Sequence, residues 1–190
     1  MKNILRKKYK EIRKNIADRD NKSQAIAQRL LDSDIWQKAE KIAVYLSFGS
    51  EVSTNEIVKR GFAQKKIIAA PITDQESFAM EFYQIDPQSN TLKAALGMQE
   101  PIAQQEKLLQ AEQIDLCILP GIAFDAKGQR LGMGKGCYDR YLPRLKKEAV
   151  KVALAFEDQI VKDPLPNEAF DVMMDYIFTE KRIIVCHANH

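Results

Sequence analysis

The sequence predicts a single α/β domain with a mostly parallel central sheet flanked by helices, and three observations predict it. Short β-branched and aromatic runs alternate with helical patterns along the whole chain. A strand, a helix and a second strand follow one another between Ile42 and Ala70, and such a crossover joins parallel strands. At 190 residues the chain suits one elaborated domain, spanning 1–190 in three layers, better than two.

The elements follow in order. Ile4, Leu5, Ile12 and Ile16 recur among charges, so residues 3–17 read as an amphipathic helix, with Lys2 and Arg6 four apart on one side of its first turn. A second helix is expected over 23–31 and a short third around Trp36. Ile42 to Leu46 is a buried-strand run. Ser53 and Glu56 have the spacing of a capping box, opening a helix that stops at Gly61. Ile67 to Ala70 is the next strand, closed by Pro71, and 78–85 alternates like a half-exposed strand. A helix is expected over 104–113, a strand from Ile114 to Leu119, loop over 122–136 and helix over 138–147. Val150 to Phe156 and Tyr176 to Phe178 complete the set as strands, the latter as the last.

Composition narrows the chemistry. Apolar residues make up 45% and charged residues 29%, which excludes disordered and collagen-like classes. No apolar run is long enough for a membrane helix, and the basic N-terminus has no apolar signal core, so the expectation is a cytoplasmic protein without a membrane partner. Cys117, Cys137 and Cys186 have no metal-ligand spacing and read as free thiols. The two histidines, His187 and His190, lie in the last four residues, which argues against Ser-His-Asp, Cys-His and His-ligated zinc chemistry. Net charge is +3, but residues 1–16 carry seven Lys/Arg against Glu11, and residues 127–146 carry six against Asp139. Two basic segments on a mildly acidic body suit a polyanionic small molecule better than a nucleic acid, or mark a solvated helix face.

The chemistry concentrates in residues 119–142, LPGIAFDAKGQRLGMGKGCYDRYL, where Gly128, Gly132, Gly134 and Gly136 separate a buried strand from a helix. Glycines let main-chain amides approach a phosphate, while Arg130 and Lys135 supply positive charge and Asp139 a hard oxygen for a divalent cation. It is not a P-loop, because Lys135 is followed by Gly136 and position 129 is Gln. The evenly spaced Gly132, Gly134 and Gly136 do not form the dinucleotide fingerprint either.

The longer string from Pro120, PGIAFDAKGQRLGMGKGCYDRYL, resembles the signature of the 5-formyltetrahydrofolate cyclo-ligase (5,10-methenyltetrahydrofolate synthetase) family, PGxxFDxxGxRLGxGxGYYD. KNILR, YLSFGSEVSTNEI, MQEP and FDVMMDYIFTE resemble its other elements in order, with Cys137 standing where the family usually has Tyr. The resemblance implies a fold like that of sugar-phosphate isomerases and CoA transferases. It also implies an ATP- and Mg²⁺-dependent conversion of 5-formyltetrahydrofolate to 5,10-methenyltetrahydrofolate through a phosphorylated formyl oxygen, releasing ADP and phosphate. On that reading Lys2, Arg6 and the segment Arg130, Leu131, Gly132, Met133, Gly134, Lys135, Gly136, Cys137 and Tyr138 contact ATP. Leu46 and Glu51 line the folate site, and Met133 to Cys137 serve both ligands. Asp139 and Asp175 hold magnesium, Arg130 and Lys135 stabilise the transferring phosphoryl group, and the protein is a monomer or weak dimer. Two other readings remain open: another phosphate-ligand enzyme on a related scaffold, and a non-catalytic RNA-binding module using the two basic segments.

Overall fold

The computed structural model describes residues 1–88 and 103–186; the MQEP element and both histidines lie outside them. The chain forms α1 (Lys2–Lys14), α2 (Arg19–Leu31), α3 (Asp34–Lys38), β1 (Lys41–Val44), α4 (Asn55–Ala63), β2 (Ile67–Thr73), β3 (Met80–Ile85) and β4 (Leu108–Leu109). It continues with β5 (Leu116–Leu119), β6 (Ala123–Asp125), β7 (Arg130–Leu131), α5 (Cys137–Tyr141), β8 (Val150–Leu154), β9 (Ile160–Val161), β10 (Tyr176–Phe178) and β11 (Ile183–Val185).

Eight strands form one sheet in the order β11-β10-β8-β5-β1-β2-β3-β4. The five from β10 to β2 are parallel, and antiparallel strands close both edges. Because side chains alternate along a strand, each parallel strand feeds two cores. Ile42, Val44, Leu116, Ile118, Val152 and Leu154 face α2, α3 and α4, where Trp36 is fully buried. Ala43, Ala69, Cys117 and Ala153 face the other way, and their small size leaves room for Phe82, Phe124, Tyr141 and Leu142. A three-stranded sheet, β7-β6-β9, adjoins that second face, and Leu5 and Tyr9 of α1 pack against it.

Several expectations give way, each for a local reason. The stretch 104–113 is two 3-10 turns around β4, not a helix. Burying Leu109 in the core with Phe82 stabilises by about 2 kcal/mol, more than the few tenths per residue of helix propensity at stake. Residues 122–136 hold β6 and β7 rather than loop alone, and the helix over 138–147 is only α5 plus a 3-10 turn with Pro143 at its start. The capping box at Ser53 does not form, because the Thr54 hydroxyl at the helix start is bound to the Tyr45 carbonyl (2.8 Å) and the Ser47 amide (3.1 Å). Strand β2 runs through Pro71, where pairing with β1 has ended and a missing N–H costs no ladder bond on that side. Tyr176 to Phe178 is not the last strand, since β11 turns back beside it.

Candidate active site

The strand order reverses between β1 and β5, and open α/β sheets bind ligands outside the carboxyl ends of strands at such a point. A cavity of about 800 Å³ lies there, walled by Glu51 after β1, by Pro120 and Gly121 after β5, and by α1 and the glycine segment. Main-chain carbonyls project from this end of a parallel sheet, and arginines cap them. Arg13 Nη1 donates to Gly121 O (3.0 Å) and its Nε to Ser50 Oγ (2.9 Å), while Arg130 Nη1 reaches Pro120 O (3.4 Å).

Helix α1 brings Lys2, Arg6 and Arg13 to the cavity, four and seven residues apart and therefore on one face. Arg6 Nε donates to Gly132 O at 2.8 Å, tying α1 to the glycine segment. The fit is close: a Cβ on Gly134 (φ +98°) would lie 3.2 Å from the Arg6 guanidinium carbon, and one on Gly132 would lie 2.8 Å from Arg130 Nη1. Gly128 has another task, in the β6–β7 turn, where a Cβ would meet Met174 O at 2.6 Å. Lys135 and Met133 are exposed in the cavity mouth, with Lys135 Nζ 4.9 Å from the Phe78 ring centre.

Arg130 is 94% buried by its side chain's 6% exposure, stacks 5.2 Å from the Tyr138 ring and sits 3.8 Å from Asp139 Oδ2. Its Nε is buried without a hydrogen-bond partner, a free donor beside the cavity. Asp139 Oδ1 accepts from the Val172 amide (3.2 Å). Next to Val172, Asp171 accepts from Lys2 Nζ (3.0 Å), Gln129 Nε2 (2.8 Å) and the Glu168 amide (2.9 Å). Burial alone would raise the Asp171 pKa, but these bonds outweigh it and hold the carboxyl below its ordinary value. Glu51 behaves oppositely: burial raises it, only partly opposed by the Phe48 amide (2.8 Å) and by Arg13.

Lys2, Arg6, Glu51 and the whole run from Arg130 to Asp139 therefore line one cavity. Two expected residues do not. Leu46 packs against the core on the α2–α4 face. Asp175 sits at the amino end of β10, where its carboxylate takes the Lys151 amide (2.8 Å) and Nζ (3.2 Å). Asp171, whose neighbour Val172 donates to Asp139, lines the cavity together with Asp139, whereas Asp175 does not. Sequence reasoning missed Asp171, two residues into the FDVMMD element, and Arg13, although its spacing from Arg6 put it on the same helix face.

A doubly wound sheet with a cation-rich, glycine-walled cavity at its switch point defines an α/β enzyme that works on a phosphorylated co-substrate beside a second ligand. The chain belongs to the 5-formyltetrahydrofolate cyclo-ligase family, whose model matches residues 1–180. It is 31% identical to the 5-formyltetrahydrofolate cyclo-ligase of Haemophilus influenzae (88% of this chain, 91% of that one) and 31% identical to that of Mus musculus (86% and 84%). The solved structure of Aquifex aeolicus 5,10-methenyltetrahydrofolate synthetase superposes with a TM-score of 0.81 at 29% identity, covering 100% of this chain and 94% of that one. A Mycoplasma pneumoniae 5,10-methenyltetrahydrofolate synthetase shares the fold, with a TM-score of 0.75 at 23% identity over 94% and 98% of the two chains. The enzyme accordingly converts 5-formyltetrahydrofolate to 5,10-methenyltetrahydrofolate, an ATP-dependent ring closure of one-carbon metabolism.

Proposed function

We propose that the glycine segment and α1 hold the triphosphate, that Glu51 faces the pterin, and that ring closure runs through a phosphorylated formyl oxygen. The observation that carries this reading is the single cavity in which Arg6, Arg130 and Lys135 meet the segment 132–136 beside Glu51. A formamide oxygen leaves poorly. Transfer of the γ-phosphoryl group breaks its bond to the bridging oxygen of ADP and forms a bond from phosphorus to the formyl oxygen. N10 then attacks the activated carbon and loses its proton, and the carbon–oxygen bond breaks to release phosphate. Phosphoryl transfer asks the protein mainly for position and fixed charge, so a cavity with no histidine among the described residues suits it.

In this reading Lys135 and Arg130 stabilise the transferring group, the unpartnered Arg130 Nε being a donor held ready for it. The donor set fits Mg²⁺, which needs one or two carboxylates when phosphate oxygens and water supply the rest. Asp139, with Asp171 in the same cavity, would hold the ion, whose contribution is to neutralise charge on the transferring phosphate. We further propose that residues 1–190 act as one domain, as a monomer or weak dimer, without a nucleic-acid partner. The proposed location is the cytoplasm; no helix among the described residues is long and apolar enough to cross a membrane, and a 30% identical Arabidopsis thaliana relative is described as mitochondrial. Mixing protein, 5-formyltetrahydrofolate, ATP and Mg²⁺ should produce the absorbance of the methenyl product. Product formation that persists without ATP would overturn the phosphoryl-transfer mechanism.

A further inference from the structure

A second depression of about 260 Å³ adjoins the active-site cavity, and the two share Met80 and Cys137 as walls. Among the described residues no carboxylate lines it; Phe78 and Tyr141 give it aromatic surface, and Arg140 and Arg144 give it charge. The two arginines differ in what remains free. Arg144 makes a two-pronged ion pair with Glu81, at 2.7 and 3.1 Å, so its charge is compensated. Arg140 uses only Nη2, donating to the carbonyls of Phe78 (3.1 Å), Lys135 (3.2 Å) and Ser77 (3.4 Å). Its Nε and Nη1 make no hydrogen bond among the described residues, which leaves an anchored cation with donors to spare.

The hairpin turn that meets Arg140 is built at a cost. Phe78 has φ +58°, a left-handed conformation that strains an aromatic residue by roughly 1–3 kcal/mol. Asp74 imposes it by accepting from the Glu76 amide (3.0 Å) and from the Ser77 amide and hydroxyl (2.7 and 2.9 Å). The result sets the Phe78 ring under Lys135 and its carbonyl on Arg140. An aromatic surface flanked by two cations thus lies just beyond the wall of the catalytic cavity.

The substrate has a matching end. The reacting nitrogens of 5-formyltetrahydrofolate belong to its pterin side, while its other side is a p-aminobenzoyl ring joined to glutamate, with two carboxylates. We propose that this depression is the subsite for the aminobenzoyl-glutamate end, with the benzoyl ring against Phe78 and a glutamate carboxylate on Arg140. The small side chain of Cys137 keeps the shared wall open for it. This rests on the folate reading of the main cavity and adds the residues that select the acidic tail.

The test compares kcat/KM for 5-formyltetrahydrofolate with that for 5-formyltetrahydropteroate, which lacks the glutamate. In the unmodified protein the ratio should favour the glutamate form. Arg140→Gln should lower that ratio about tenfold, chiefly through KM, as expected for one lost charge-assisted hydrogen bond. Cys137→Tyr, which narrows the passage without touching the cation, should lower the same ratio. Arg60→Gln, on α4 across the sheet, controls for net charge and should leave it unchanged. A ratio unaltered in both Arg140→Gln and Cys137→Tyr, or lowered equally by Arg60→Gln, overturns the subsite. So does a loss in Arg140→Gln shared equally by both substrates, which would make the residue a support for the Lys135 loop. Failure of the unmodified protein to cyclise either substrate would instead remove the folate reading itself, and the tail site with it.

Discussion

The two ends of the parallel sheet use the same residue types to opposite effect. At the amino end, strand N–H groups project and carboxylates receive them. Asp115 accepts from the Glu40 and Lys41 amides (3.0 and 2.9 Å) and Asp175 from the Lys151 amide, and each is neutralised by a lysine, Lys146 and Lys151. At the carboxyl end, carbonyls project and arginines receive them, but Arg6 and Lys135 there make no ion pair among the described residues. One end closes its charge accounts internally and holds strands together. The other leaves positive charge for a ligand to complete, which is what binding a polyphosphate requires.

The largest effect expected from this contrast is at Lys135. Its replacement by Ala should lower kcat by roughly 10²-fold, the loss typical of one transition-state donor, while thermal stability hardly moves because the side chain is exposed. A large fall in Tm with little change in kcat would erase the distinction between the two ends.

The glycines sharpen it within one segment. Gly134→Ala, which crowds the Arg6 guanidinium, should raise KM for ATP about tenfold, as a 1–3 kcal/mol strain placed on the binding loop would. Gly128→Ala should instead lower stability by about 1–3 kcal/mol, because the new Cβ meets a main-chain oxygen at a positive φ. Equal KM changes in the two variants would show that the segment acts as one unit. A carboxylate comparison is smaller: Asp139→Asn and Asp171→Asn should raise the Mg²⁺ concentration for half-activity several-fold, whereas Asp175→Asn should leave it unchanged and cost about 1 kcal/mol of stability, because the Asn oxygen still accepts from the Lys151 amide while the lysine loses its ion pair.

How much of this was legible in the sequence differs between the same two ends. The five parallel strands are buried on both faces, so Ile42–Leu46, Ile67–Ala70, Ile114–Leu119, Val150–Phe156 and Tyr176–Phe178 announce themselves as apolar runs. β4, β6, β7, β9 and β11 do not, because a strand of two or three residues outside the parallel set has no period to mark it and exists only through its partners. The glycine segment was legible because four glycines and two cations in nine residues need a ligand to explain them. Asp171 and Asp175 were not separable, since both lie in one short element and only the chain's path puts one at each end of the sheet. The placement of the Leu46 side chain was not legible for a similar reason: adjacency to the Glu51 loop says nothing about which face it takes.

Acid titration gives the finest discrimination, since Asp115 at the amino end and Glu51 at the carboxyl end should carry opposite signs. For Asp115, burial raises the pKa but the Lys146 bond and the Lys41 and Glu40 amides outweigh it, leaving it below the ordinary carboxylate value. Its contribution to stability is therefore present above the unfolded-state pKa and is lost as pH falls through the lower folded value. Glu51 is raised by burial, so between its unfolded and folded values the native state binds a proton that the unfolded chain does not, and stability falls as pH rises through that window. Glu51→Gln should then melt higher than the unmodified protein at neutral pH, with the advantage vanishing on acidification, while KM for the folate rises because the carboxylate facing the pterin is gone. Asp115→Asn should melt lower at neutral pH and converge from below. If Glu51→Gln also melts lower at neutral pH, the carboxyl end is as internally compensated as the amino end, and Glu51 is a structural ion partner of Arg13 rather than a group held for substrate.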